Sequence, residues 1–152
     1  MTSDEILRLI ALPLPALRRK ARVPFRTLPS IPAVLDDIAD AILAEVRAGS
    51  RKGRPVRLIL PVGPVSHYRR VVEVSNREGL SWRHVHLFAM DEFLDWEGRP
   101  VPESHPLSFG GFLRRELLGG LDRRLRPAAD RLVVPHPFRI DEAGARIRPV
   151  GG

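Results

Sequence analysis

Val85-His86-Leu87-Phe88-Ala89-Met90-Asp91-Glu92-Phe93 is an apolar run that passes without a break into two carboxylates and an aromatic ring. A short apolar run of this kind reads as a strand buried on both faces of a parallel sheet. In an open α/β sheet the carboxyl ends of the strands border the ligand crevice. Asp91 at that position is therefore a candidate general base, because partial burial and neighbouring charges tune a carboxylate for proton transfer. The plain alternative is a turn or helix cap, a common use of Asp. A second cluster follows at His105-Pro106-Leu107-Ser108-Phe109.

Working outward, Trp82–Met90 is expected as one strand and Val56–Val62 as another. Between them, Tyr68–Glu78 reads as a helix closed by Gly79. Before them, Ser30-Ile31-Pro32 opens an amphipathic helix carried by Val34, Leu35, Ile38, Ile42 and Val46, with Gly49 as its expected end. After them comes a long connector, Asp91–Pro106, of the kind that is functional or disordered. A helix over Ser108–Leu118 closes at Gly119-Gly120, and Arg131–Val134 is a short third strand. From Pro135 the chain reads as loop. Residues 1–30 hold Pro13, Pro15, Pro24 and Pro29 and read as an arm, with one short helix over Glu5–Ala11 capped from Thr2-Ser3-Asp4.

The alternation of strand and helix implies an α/β fold, a Rossmann-like three-layer parallel sheet with right-handed crossovers, over residues 31–152. A typical sheet has about five or six strands. Three therefore imply that further strands come from a partner or that the domain is incomplete at its C-terminus.

Composition narrows the function classes. With 152 residues, 43% of them hydrophobic, one domain with an ordinary core is expected. There is no cysteine, which excludes disulfides and thiolate metal sites and fits a cytoplasmic protein. No apolar run approaches the roughly 20 residues of a membrane helix, and the first residues lack signal-peptide order. The formal net charge is +7. Lysine occurs only at Lys20 and Lys52, however, and the arginine pairs at 18–19, 69–70, 114–115 and 123–124 are dispersed. This pattern reads as scattered surface charge, so no nucleic-acid partner is expected.

Pro61-Val62-Gly63-Pro64-Val65-Ser66 links the first strand to the next helix. A turn of this type presents free N–H groups and a helix dipole to an anion. Ser66 either caps the helix or donates its hydroxyl, and Pro64 removes one donor. As neither a Walker motif nor G-x-G-x-x-G, the turn also reads as an ordinary βα connection. His84 and His86 lie two apart, but no third ligand has metal-site spacing, so no metal is expected. His105 either orients the long connector or is solvated, and His136 is a loop residue. Trp82 and Trp96 read as packing residues.

With these residues in place, the sequence resembles the glucosamine-6-phosphate deaminase/isomerase family, related to the 6-phosphogluconolactonases, over roughly residues 31–152. Leu58–Tyr68 is similar to the family's strand, phosphate loop and helix. Met90-Asp91-Glu92-Phe93 matches its M-D-E-[YF] motif, and His105-Pro106-Leu107-Ser108-Phe109 matches H-P-x-S-[YF]. The resemblance implies a cofactor-free enzyme that isomerises ring-opened glucosamine 6-phosphate and releases ammonia. Asp91 would be the base moving a proton between C2 and C1. Gly63, Pro64, Val65 and Ser66 would hold the phosphate. Glu92, Phe93, His105 and Ser108 would support the site.

Two departures stand out. Val65 falls where the family's loop carries a hydroxyl, and no G-H-[IV]-A-F-N-E-P motif, the family's ring-opening element, is present. The sequence thus looks like the N-terminal half of such a protein, truncated or completed by a complementary C-terminal half, with self-association as a further possibility. Two other readings remain open. One is a non-catalytic phosphosugar-binding module or inactive fragment. The other is a lactonase, although the chain lacks that group's D-E-R-x-V-P pattern after the strand.

Overall fold

A computed structural model describes residues 2–63 and 65–136, together with the backbone of 139–140 and 146–147. Contacts divide the chain into two compact units, one up to Ala33 and one from Val34 onward.

The first unit holds two short helices. α1 (Ser3–Ile10) starts at a capping box: the Glu5 N–H donates to Thr2 Oγ1, and the Thr2 N–H donates to Glu5 Oε2 at 2.7 Å. α2 (Leu14–Lys20) was not expected in so proline-rich a stretch. Here Pro13 is the N-cap and Pro15 sits in the first turn, where a missing N–H costs nothing.

The second unit is built on β1 (Val56–Leu60), β2 (Val85–Ala89) and β3 (Leu132–Val133), all parallel and in the spatial order β1-β2-β3. α3 (Ile31–Lys52) precedes β1, α4 (Ser66–Glu78) joins β1 to β2, and α5 (Phe109–Phe112) joins β2 to β3. α5 continues as a π-helical segment, Leu113–Leu118. The expected α/β parallel sheet is thus observed. Its strands are shorter than the apolar runs: Trp82 lies before β2 as a fully buried core residue whose Nε1 donates to Ser75 Oγ at 2.9 Å.

Gly49 does not end α3. An added Cβ there would fall 2.1 Å from Val56 Cγ2 and 3.0 Å from the His84 ring. Glycine instead allows the helix to press on the sheet's start, and the chain leaves the helix at Gly53, with φ +59°. Beyond Pro135 the expected loop contains a short antiparallel pair, β4 (Arg139–Ile140) with β5 (Arg146–Ile147). Two such strands with no long apolar run give little sequence signal.

Side chains of the three-stranded sheet segregate by parity. Val56, Leu60, Val85, Leu87, Ala89 and Leu132 are buried. They join Ala39, Leu43 and Val46 of α3, Tyr68, Val71 and Val74 of α4, and Leu113 and Leu117 after α5 in one apolar cluster. The alternate residues Arg57, Ile59, His86, Phe88 and Val133 occupy the other face, with Ile59 67% and Val133 47% exposed. Among the described residues of this unit, no helix contributes to a cluster on that second face.

Candidate functional site

β1 and β2 pair in parallel over five residues, from Val56 opposite Val85 to Leu60 opposite Ala89. The Met90 N–H extends this ladder by donating to Leu60 O at 3.0 Å. The turn after β1 and the segment after β2 therefore leave the sheet at the same carboxyl edge. Tyr68 anchors the turn from α4: its hydroxyl donates to Pro61 O at 2.7 Å. Burial pushes the Tyr68 hydroxyl well above its ordinary pKa, so it remains a donor across the physiological range. Nothing in the sequence flags this anchor, because a Tyr at the third position of a helix has no fixed partner.

At the start of α4, Val65 is the N-cap and contributes no side-chain bond. Ser66 is the first helical residue, so it is not the cap that the sequence left open. The first N–H groups of α4 thus have no side-chain cap. A hollow of about 420 Å³ opens here, lined by Val65, Ser66, Tyr68, Arg69, Phe112 and Glu116 among others. Gly63 is exposed, and a Cβ added there would meet nothing within 4 Å. Pro64 lies outside the described residues.

Asp91 and Glu92 are neighbours with opposite surroundings. Asp91 is exposed and makes no hydrogen bond or ion pair among the described residues. Glu92 is half-buried and accepts four bonds. Its Oε1 receives the N–H groups of Phe93 at 2.9 Å and Phe109 at 2.8 Å; its Oε2 receives the Gly110 N–H at 2.8 Å and the Ser108 hydroxyl at 3.1 Å. A carboxylate accepting several N–H bonds neutralises the orphan donors at a helix start. Glu92 therefore clamps the end of β2 to the start of α5.

Ser108 is the N-cap of α5, fully buried, with its Oγ accepting the Gly111 N–H at 2.9 Å. Phe93 packs edge-on against Phe109, with centroids 5.0 Å apart. Glu92, Phe93 and Ser108 thus come together. His105 does not join them. It is exposed, and its Nδ1 accepts the Leu107 N–H at 3.2 Å within its own turn.

The long connector is ordered from both ends. Leu94 pairs with Pro100 in an antiparallel bridge, and Asp95 accepts the N–H groups of Glu97 and Arg99. Arg114 and Arg115 hold Glu103, by side chain at 2.6 Å and by carbonyl at 3.0 Å. Gly111 is required for that approach, since a Cβ would fall 2.0 Å from Glu103 O. Trp96 is 90% exposed and is not the packing residue it was expected to be. His84 is held by Val46 O at 3.1 Å, and among the described residues no cluster of three metal-ligating side chains occurs.

No family model matches the chain. The chain is 34% identical over 73 residues to a glucosamine-6-phosphate deaminase of Aeromonas salmonicida, covering 47% of this chain and 26% of that one. It is 31% identical over 87 residues to the Porphyromonas gingivalis protein of that name, covering 55% and 31%. The match thus spans less than a third of these curated relatives. A solved monomeric glucosamine-6-phosphate deaminase of the NagB superfamily superposes with a TM-score of 0.51 at 19% identity, over 67% of this chain and 38% of that one. At that identity the likeness concerns the fold. The curated relatives make this chain a partial match to the glucosamine-6-phosphate deaminase family.

Proposed function

We propose that this chain is a glucosamine-6-phosphate deaminase-type protein of amino-sugar phosphate metabolism, with a phosphorylated amino sugar as its ligand. Asp91 is the base that carries a proton between C2 and C1 of the ring-opened sugar. The turn Gly63-Pro64-Val65-Ser66 receives the phosphate, and Glu92, Phe93, Ser108 and His105 support the loop that carries Asp91. The observation that supports this reading is the β1–β2 register, by which the turn into α4 and the segment carrying Asp91 leave the sheet at the same edge; among the described residues α4 has no side-chain cap and Asp91 no hydrogen bond or ion pair. An anion fixed at the helix start would hold a sugar at a constant distance from the base. The ring-opening His and Glu have no counterpart in these 152 residues and would come from a complementary C-terminal half.

Two measurements on the full chain test this reading. Calorimetry with glucosamine 6-phosphate is expected to show binding, weakened by Ser66→Ala. Ammonia release, measured with any complementary half added, is expected to be abolished by Asp91→Asn without loss of binding. Turnover unchanged in Asp91→Asn would remove Asp91 from the chemistry.

The missing ring-opening motif specifically favours a second reading, a non-catalytic phosphosugar-binding module. Binding of the sugar phosphate with no turnover, in the presence as in the absence of a second half, would establish it. Lactone hydrolysis without ammonia release would point instead to the lactonase chemistry.

A further inference from the structure

The opposite, amino edge of the sheet borders a hollow of different chemistry. Arg83 precedes β2 and Arg131 precedes β3. With Arg123, Arg126 and the wall Pro127–Ala129, they line an open basin of about 700 Å³. Among the described residues no carboxylate lines it, and none of the four arginines has a carboxylate partner. Asp122, the nearest acid in sequence to Arg123, faces Arg124 instead, at 3.9 Å.

Two of these arginines are fixed in place. Arg126 donates from Nε to Leu121 O at 2.7 Å and from Nη2 to Gly119 O at 2.8 Å. Arg131 donates from Nη1 to Arg83 O. The loop beneath is tied to the core, because the Trp82 N–H donates to Leu125 O at 2.8 Å. Four guanidinium groups around one hollow repel one another, and the carbonyl bonds engage only part of their donors. A second hollow of about 440 Å³ adjoins the first: it shares Arg83 and Arg131 and adds Arg54, His84 and His86, again without an acid.

We propose that this arginine basin binds a compact small molecule carrying two or more phosphates, at a site separate from the carboxyl edge. A planar guanidinium matches phosphate in a two-pronged geometry and does not lose its charge. Four such charges exceed what one phosphate neutralises and suit a diphosphate group. The basin's size lies within the range of small-ligand sites. Its walls contain no aromatic ring, so they offer bases no stacking surface of the kind single-stranded nucleic acid uses.

The test is calorimetry of the full chain with inorganic pyrophosphate at low ionic strength. The wild type is expected to bind one equivalent, and binding is expected to weaken as salt is added. Arg83→Gln and Arg123→Gln remove side chains that make no described hydrogen bond, so folding is retained, as a thermal melt by circular dichroism will check. Each is expected to weaken binding about tenfold. Arg131→Lys, which keeps the charge and loses the fork, is expected to weaken it less, and Arg77→Gln on α4 not at all. If Arg83→Gln fails to fold, Arg123→Gln alone decides.

Absence of pyrophosphate binding would overturn the proposal. So would equal affinity in wild type and Arg123→Gln. An oligonucleotide whose affinity rises with length, with no pyrophosphate binding, would assign the basin to a nucleic-acid backbone instead.

Discussion

The two faces of the parallel sheet both carry large apolar residues, the second with Arg57 and His86 among them, and they meet different fates. Leu87 and Phe88 are adjacent in β2, yet Leu87 is fully buried beneath α4 and the helix after α5, while Phe88 keeps company with Ile59 and Val133 on the exposed side. A sheet covered on one face only alternates apolar and polar residues; one built for cover on both is apolar throughout. β2 is apolar at every position but His86, so its composition anticipates more cover than the described residues provide. Burial, and not hydrophobicity alone, fixes what each residue contributes.

The sharpest way to break that comparison is a pair of truncations. Leu87→Ala removes a fully buried side chain from the centre of the core and is expected to cost about 2–5 kcal/mol in urea unfolding. Ile59→Ala, on the face where that residue is 67% exposed, is expected to cost under about 1 kcal/mol. Similar costs at both positions would mean that the second face is covered in solution.

A second contrast sets Glu92 against Asp91. Glu92→Gln keeps the shape but removes the charge from an acceptor of four bonds, and one of its oxygens becomes an NH2 facing donors. About 2–3 kcal/mol of destabilisation is expected by the same denaturation. Asp91→Asn, which breaks no described bond, is expected to stay within about 0.5 kcal/mol of wild type. That asymmetry is what a structural clamp beside a residue free for chemistry should give.

A gentler probe asks whether the apolar second face meets water. An exposed patch of this kind is expected to bind the dye ANS in the native state. Ile59→Thr combined with Val133→Thr is expected to reduce that fluorescence while leaving the unfolding midpoint nearly unchanged. An unchanged signal would place the dye elsewhere.

Much of the frame was legible because local rules carried it. The cap within Thr2-Ser3-Asp4, the stop at Gly79, and the order of strand and helix from Val56 to Leu118 each follow from local sequence pattern. Gly49 reads as a helix end because a glycine that ends a helix and one that admits a neighbouring strand look alike in sequence; only Val56 and His84, contacted through the fold, tell them apart. At the candidate site, the pairing of Glu92 with Ser108 across sixteen residues is equally non-local. The sequence marks both residues without revealing that one caps the other's helix. The arginine basin is harder still, because its members lie at 83, 123, 126 and 131 and form no run.

The smallest expected effect concerns the exposed tip of the connector. The Arg99 backbone N–H, bonded to Asp95 Oδ1 at 2.9 Å, is the leading reason that the Asp95 carboxyl lies below its ordinary value; the Arg99 guanidinium and the Glu97 N–H act in the same direction, while partial desolvation opposes them. A carboxyl whose pKa is lower folded than unfolded stabilises the fold only while ionised in the native state. This contribution is therefore fully present above the unfolded value near 3.8 and disappears as pH falls through the lower folded one. Asp95→Asn is expected to flatten the acid limb of the stability curve below about pH 4 and to leave neutral-pH stability nearly unchanged. The group is half-buried but still reached by solvent, so salt is expected to shrink the effect further. The difference between variant and wild type in the acid limb, compared at low and high ionic strength, measures how firmly the connector that follows Asp91 is held. A limb identical in both would show that the Asp95–Arg99 turn contributes nothing to the ordering of that loop.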